Sequence, residues 1–185
     1  MKLFKDKIFM KSMLAIAIPV ALQNLISSSL NMVDTLMISS LGQSSIAAVG
    51  LANQVFFLYI LITFGINSGS SIFIAQFWGK EDIGGIKKVM GLAITLSFIA
   101  GTIFTIAAFF FPGEILSLFI KEQEVILLGS KYLRIVSLSY TITAISFAFS
   151  IALRTTGRPN VPLKVSIISF GTNTVLNYLL IFGKL

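Results

Sequence analysis

The sequence predicts an all-α polytopic membrane protein with five transmembrane helices, and three observations lead to this fold class. Hydrophobic residues make up 56% of the 185-residue chain and charged residues only 11%, while the mean hydropathy is +0.94. An ordinary soluble domain carries about a quarter charged residues. The length leaves room for about five helices of about 20 apolar residues each. A soluble enzyme is therefore excluded.

Five long apolar runs bounded by charged residues define the predicted spans. The first run follows four lysines, as in a signal peptide, but it is too long and lacks an Ala-x-Ala cleavage site. We therefore interpret it as a retained helix. Gly and Pro residues at the ends of the runs support the short turns between them. The whole chain, 1–185, is expected to form a single membrane domain whose spans cover 13–38, 51–77, 89–111, 127–153 and 163–183.

The distribution of Lys and Arg orients the spans. Ten of the fourteen Lys and Arg residues lie on the side of the N-terminus and four on the other side. Because cytoplasmic loops collect basic residues, the N-terminus is predicted to be cytoplasmic. The same rule accounts for the net charge of +7 without a nucleic-acid partner. The chain ends at the edge of the fifth span, so we expect that it was cut from a longer protein.

Several enzyme and cofactor classes are incompatible with the composition. The chain has no histidine and no cysteine, which excludes disulfides, zinc or haem sites built on those residues, Ser-His-Asp triads and cysteine nucleophiles. It also lacks the G-x-x-x-x-G-K-[ST] phosphate-binding motif. We therefore expect neither an enzyme nor a bound cofactor.

Asp34 is the main functional candidate, because it lies within the first span. A charged side chain in the hydrocarbon core costs at least about 2.5 kcal/mol, so one that persists there is a functional hypothesis by default. Helical spacing places it on one face with three other polar side chains. The alternative is that Asp34 lies at the outer headgroup boundary, where a carboxylate costs little. The polar face of the first span consists of Gln23, Ser27, Asn31 and Asp34.

The fifth span carries a similar polar face, with Asn173 and Asn177 at the predicted depth of Asp34. If the two helices pack together, one carboxylate and two amide oxygens form either a Na⁺ site or the surroundings of a titrating carboxyl group. The alternative is that the amides only join neighbouring helices. The polar face of the fifth span consists of Ser166, Ser169, Asn173 and Asn177.

Short motifs occur in a fixed order along nearly the whole chain. Each motif by itself is weakly diagnostic of a family, but the ordered set is specific. Pro19 lies inside the first helix, where it removes a backbone hydrogen bond and allows a kink. The ordered set resembles the multidrug and toxic compound extrusion (MATE) antiporters. The motifs are Pro19, 31–35 (NMVDT), Gly65-x-x-x-Gly69, 75–79 (AQFWG), 132–135 (YLRI), Leu153-Arg154-x-x-Gly157 and 173–183 (NTVLNYLLIFG).

The resemblance implies a twelve-helix transporter with two six-helix lobes, of which this chain supplies five helices of the N-terminal lobe. Such a protein exports organic, often cationic, compounds in exchange for H⁺ or Na⁺. Asp34 would be the cation-coupling residue, with Asn173 beside it. Relatives are expected to carry Asp or Asn at the position of Asn177, and Asn leaves most of the coupling to Asp34. The residues expected to face the substrate cavity are Gln23, Asn24, Asn31 and Tyr140.

Two alternatives remain open. A lipid-linked oligosaccharide flippase of the same superfamily would need several cationic side chains in its cavity, and these are scarce here. A truncated membrane protein without transport activity is the other alternative, because five helices cannot supply both lobes of an alternating-access transporter. The expected partners are the lipid bilayer, a small organic cation, and a missing second lobe or partner chain, and no nucleic acid is expected. A multi-pass location in a bacterial inner membrane follows.

Overall fold

The computed structural model describes residues 7–40 and 42–181, and these two ranges are almost entirely helical. No residue within them lies in a strand, so the predicted all-α class is confirmed. Seven helices follow one another in the described ranges. They are α1 (Lys7–Ser39), α2 (Gln43–Gly79), α3 (Ile83–Phe110), α4 (Pro112–Ser117), α5 (Gln123–Ser137), α6 (Tyr140–Thr155) and α7 (Asn160–Ile181).

Three of these helices are long and apolar enough to cross a membrane. They cover Phe9–Ser39, Gln43–Gly79 and Ile83–Phe110. At 1.5 Å per residue even the shortest is about 42 Å long, more than the hydrocarbon core of about 30 Å. Each helix begins before its predicted apolar run, and only residues 80–82 separate α2 from α3. At the turn before α3, the side chain of Asp82 accepts a hydrogen bond from the backbone N–H of Gly85 at 2.9 Å, which caps the helix.

The fourth predicted span, 127–153, is broken into α5 and α6, which are bent by 51°. At the break, the hydroxyl groups of Ser137 and Ser139 donate to the carbonyl oxygens of Arg134 and Val136. The hydroxyl of Thr105 in α3 donates to the carbonyl of Ser137 at 2.9 Å. These side chains replace backbone partners and so allow the helix to bend. With α5 and α6 counted as one span, the described residues provide four apolar spans.

The fifth predicted span corresponds to α7, although residues 182 and 183 lie outside the described ranges. Its 22 residues give a length of about 33 Å, enough to cross the hydrocarbon core. It is not among the helices that are apolar enough to qualify by composition, because its polar face lowers its hydropathy. A fifth span therefore stays a prediction. The short helix α4 was not predicted, and it begins with Pro112 in its first turn, a favourable position for proline.

The chain divides into two compact units, and the second unit comprises residues 38–152. Its core is an aromatic cluster in which the rings of Tyr59 and Tyr140 stack with centroids 5.0 Å apart. Phe56 and Phe104 pack against this pair. Small residues let the helices approach closely: a Cβ atom at Gly101 would lie 2.9 Å from the Cα of Thr141. Dense apolar packing therefore stabilises this unit.

The first unit comprises residues 1–37 and 153–185, and its described part contains most of α1 and all of α7. Large apolar side chains on both helices are exposed, among them Met32 at 66% and Ile168 at 69%. Such outward-facing apolar side chains are typical of helices that contact lipid or other membrane helices. Some polar side chains instead bond between the two helices, and these belong to the candidate site. They are Gln23 and Asp34 of α1 and Ser166 and Asn177 of α7.

Candidate functional site

The structure brings Asp34, Asn173 and Asn177 together. The side-chain Nδ2 of Asn177 donates one hydrogen bond to Asp34 Oδ1 at 2.7 Å and another to Asn173 Oδ1 at 2.9 Å. All three side chains are half-buried. The carboxylate from α1 and the two amides from α7 therefore form one connected group, which we call the Asp34 cluster.

Local helical structure leaves these three side chains available for contacts between helices. The hydroxyl groups of Ser27 and Thr35 donate back to the carbonyl oxygens of Gln23 and Asn31, four residues earlier in α1. Hydroxyl groups that bond within their own helix do not compete for the carboxylate of Asp34. On α7, Asn173 and Asn177 are four residues apart and so share one face, which allows their amides to bond to each other.

A second polar group links the same two helices nearer their N-terminal ends. Gln23 Nε2 donates to Ser166 Oγ at 2.9 Å, and Arg154 Nη2 donates to Gln23 Oε1 at 2.7 Å. We call this group the Gln23 cluster. Its Gln23–Ser166 pair and the Asp34–Asn177 pair are both 143 residues apart in sequence. The second contact is therefore the same number of residues further along both helices, which shows that α1 and α7 run parallel in a single register.

Two oxygens of the Asp34 cluster accept hydrogen bonds from the same amide. The NH₂ group of Asn177 points at the oxygens of both Asp34 and Asn173. A Na⁺ ion that uses oxygens from all three residues requires the Asn177 amide to turn over, because nitrogen donors repel a cation. A proton that binds the Asp34 carboxylate requires no such rearrangement. Within the described ranges, no group of three or more Asp, Glu, His or Cys side chains is arranged to hold a metal ion.

The four residues expected to face a substrate cavity have different surroundings. Asn24 and Asn31 are exposed on α1. Gln23 is half-buried and both ends of its amide are bonded within the Gln23 cluster. Tyr140 is 0% exposed, because its ring stacks on the ring of Tyr59. The hydroxyl of Tyr59 also donates a hydrogen bond to the backbone carbonyl of Tyr140, at 2.6 Å. Tyr140 therefore lies in the core of the second unit, and a substrate-facing role for the four residues stays a prediction.

The contact between Arg154 and Gln23 was not predicted from the sequence. The sequence motif Leu153-Arg154-x-x-Gly157 gives no partner for Arg154, whereas the structure places its guanidinium on the side-chain amide of Gln23 in α1. One signal was present: Gln23 and Asp34 are eleven residues apart, and so are Ser166 and Asn177. Two polar faces of equal length favour parallel helices paired in register. Tyr59 was also missed, since a buried tyrosine among apolar residues has no distinctive pattern.

Comparison with known proteins decides the family. A family model described as MatE matches residues 19–179. The chain belongs to the MatE family. The matched range contains every residue of the Asp34 cluster and of the Gln23 cluster. Members of the MatE family are membrane transporters, so the chain is part of a multi-pass membrane protein.

Individual relatives of the MatE family agree with this result. The chain is 32% identical over 174 residues to the probable multidrug resistance protein YoeA of Bacillus subtilis, covering 94% of this chain and 38% of the relative. It is 26% identical over 183 residues to the multidrug export protein MepA of Staphylococcus haemolyticus, covering 97% of this chain and 40% of the relative. The chain thus spans less than half the length of these relatives and corresponds to part of an N-terminal lobe.

Solved structures of MatE relatives have the same fold over the matched region. One is the outward-facing conformation of a multidrug resistance MATE family transporter, with a TM-score of 0.86 at 26% sequence identity. Another is a transporter of the MOP superfamily from Pyrococcus furiosus, also with a TM-score of 0.86 at 26% identity. Each match covers 94% of this chain and 38% of the solved chain. The partial-lobe architecture is therefore confirmed.

Proposed function

We propose that the chain is part of a secondary active transporter that exports organic, cationic compounds in exchange for H⁺ or Na⁺. The observation that carries the proposal is the hydrogen bond from Asn177 to the Asp34 carboxylate, at 2.7 Å, between two helices of a membrane protein. A carboxylate in a membrane span costs at least about 2.5 kcal/mol. Its retention in a MatE chain is best explained by a role in ion coupling.

The mechanism follows from the single negative charge of the Asp34 cluster. An ionised Asp34 attracts a cationic compound, and an ion that arrives from outside neutralises the same carboxylate. Neutralisation weakens the attraction for the compound, which then leaves on the outer side. Release of the ion on the inner side restores the charge. The coupling is reciprocal, because each ligand lowers the affinity of the cluster for the other.

Of the two ions, the hydrogen bonds in the Asp34 cluster favour H⁺. The NH₂ group of Asn177 lies between the oxygens of Asp34 and Asn173, so a three-oxygen Na⁺ site requires that amide to turn over. Proton binding at Asp34 leaves both hydrogen bonds possible. Export driven in vesicles by a pH gradient without Na⁺ supports H⁺ coupling, while export that requires a Na⁺ gradient supports the Na⁺ alternative.

The complete machine needs more helices than the described residues provide. Alternating access in transporters of this kind uses two lobes or bundles that move around a shared site. We therefore propose a second lobe, in the same polypeptide or in a partner chain, and a location in the cell membrane with a cytoplasmic N-terminus. The flippase alternative is not favoured, since the relatives compared above are described as multidrug resistance or export proteins.

The direct test of the proposal is Asp34→Asn in the full-length protein. We expect insertion into the membrane to persist and efflux of a fluorescent organic cation from cells to be abolished, because the amide has no charge to exchange. Glu114→Gln is the matched control: it makes the same chemical change at a carboxylate in α4, and efflux is expected to continue. Retained efflux in Asp34→Asn would show that Asp34 is not the coupling residue.

A further inference from the structure

The orientation of the Gln23 amide is fixed by the chemistry of its neighbours. Arg154 has only hydrogen-bond donors, so the group that faces it must be the Oε1 atom of Gln23. The NH₂ group is then turned toward Ser166, to whose hydroxyl oxygen it donates at 2.9 Å. One side chain of α1 is thus held from two sides, by the last turn of α6 and by α7.

Two hydrogen bonds between side chains join α1 to α7 in the first unit. One is the Gln23–Ser166 bond and the other is the Asp34–Asn177 bond. Both join residues that are 143 positions apart in sequence, so the two bonds form together in only one register of α1 along α7. A slip of one helical turn moves α1 by about 5.4 Å and breaks both.

The positive charge of Arg154 raises the free-energy cost of losing its hydrogen bond to Gln23. The Nε–H of Arg154 is buried and has no hydrogen-bond partner among the described residues. The Oε1 atom of Gln23 accepts from the same guanidinium, at 2.7 Å. Removing an acceptor from a buried charged donor costs more than removing one from a neutral donor. Arg154 therefore holds Gln23 in place more firmly than Ser166 alone would.

We propose that Gln23, held by Arg154, is a positioning residue that fixes the register of α1 on α7 and so keeps Asp34 against Asn177. It acts through helix position and does not need to contact the transported compound. The consequence for coupling rests on the function proposed above, but the positioning itself is measured without transport. A failure of the positioning proposal is therefore distinguishable from a failure of the proposed transport function.

The positioning test uses a pair of cysteines in place of Asp34 and Asn177. The 185 residues contain no cysteine, so the test is made in the full-length protein after removal of any cysteines elsewhere. With this pair the Asp34–Asn177 bond is absent and the register depends on Gln23. The rate of reaction with a short thiol-to-thiol cross-linker then reports how α1 lies on α7.

Gln23→Leu removes both bonds of the amide, and we expect cross-linking to slow by about threefold to about twentyfold, the range of interhelical hydrogen-bond energies in membranes. Gln23→Glu is expected to retain the parental rate, because its carboxylate accepts from both Arg154 and the Ser166 hydroxyl. Asn24→Leu is the matched control, an amide replaced by leucine at the next position of α1, and it should leave cross-linking unchanged.

Three results would overturn the positioning role: a parental rate in Gln23→Leu, an equally slow rate in Gln23→Glu, or an equally slow rate in Asn24→Leu. If Gln23→Leu does not accumulate in the membrane, Ser166→Ala replaces it, since this variant removes only the acceptor on α7 and is expected to slow cross-linking less. With Asp34 and Asn177 restored, the pH profile of export should shift in Gln23→Leu and return to the parental profile in Gln23→Glu.

Discussion

Different forces stabilise the two units of the chain. In the second unit, buried Tyr59, Tyr140, Leu116 and Leu133 are each 0% exposed and pack in an apolar core. In the first unit, amides, a hydroxyl and a carboxylate join α1 to α7, and the guanidinium of Arg154 joins α1 to the end of α6. Substitutions in the second unit should therefore act through stability, whereas substitutions in the first unit should act mainly through the ion coupling proposed above.

The largest loss of stability is expected for Tyr59→Ala. It removes a fully buried ring that stacks on Tyr140 and packs against Phe56 and Phe104, and losing a large buried aromatic side chain costs about 3–5 kcal/mol. Thermal unfolding of the purified full-length protein measures the effect. Phe57→Ala is the control, since Phe57 is 56% exposed. An equal loss in both variants would contradict the assignment of Tyr59 to the core.

A smaller loss of stability is expected for Gly101→Val. A Cβ atom at Gly101 would lie 2.9 Å from the backbone Cα of Thr141, so α3 and α6 must separate, and overpacking of this kind costs about 1–3 kcal/mol. Gly91→Val in the same helix is the matched control, because no heavy atom lies within 4 Å of a Cβ built there. The difference between their unfolding temperatures tests whether close packing stabilises the second unit.

In the first unit, Asn177→Leu should impair transport more than stability. The variant removes the donor that stabilises the ionised carboxylate of Asp34. Hydrogen bonds to charged groups contribute about 1.5–3 kcal/mol, so ion binding at Asp34 should change by about tenfold or more, and we expect export to fall with it. Asn53→Leu, the same change at an exposed amide in α2, is the control and should export normally. Normal export by Asn177→Leu, or a loss of export explained entirely by low abundance, would contradict the expectation that substitutions in the first unit act on transport rather than on stability.

Much of this architecture was predictable because it depends on composition and periodicity. Apolar length predicted the long helices α1, α2 and α3, and the spacing of polar residues placed Asp34 on one face of the first helix and Asn173 and Asn177 on one face of the fifth span. The break between α5 and α6 was not predictable, since it depends on the hydroxyl of Thr105 in α3 reaching the carbonyl of Ser137. Contacts of this kind depend on tertiary structure, which local sequence patterns do not encode.

Burial of individual polar side chains could not be predicted from the sequence either. Tyr140 has the amphipathic character of a cavity residue, and only its stacking on Tyr59 shows that it belongs to the core. The partner of Arg154 was equally hidden, because a basic residue at a span end usually faces lipid headgroups or water. In both cases the deciding information is which helix lies opposite, and the sequence of one helix does not contain it.

The smallest effect is expected within a single aromatic pair of the second unit. The Tyr59 hydroxyl donates to the Tyr140 carbonyl at 2.6 Å, whereas the Tyr140 hydroxyl is buried without a hydrogen-bond partner among the described residues. Tyr59→Phe should therefore destabilise the protein by about 0.6 kcal/mol, the average for hydrogen bonds between membrane helices. Tyr140→Phe removes an unsatisfied polar atom and should leave the unfolding temperature unchanged or raise it. The reverse order of the two unfolding temperatures would mean that the Tyr140 hydroxyl has a hydrogen-bond partner in the full-length protein and that its bond contributes more than that of the Tyr59 hydroxyl.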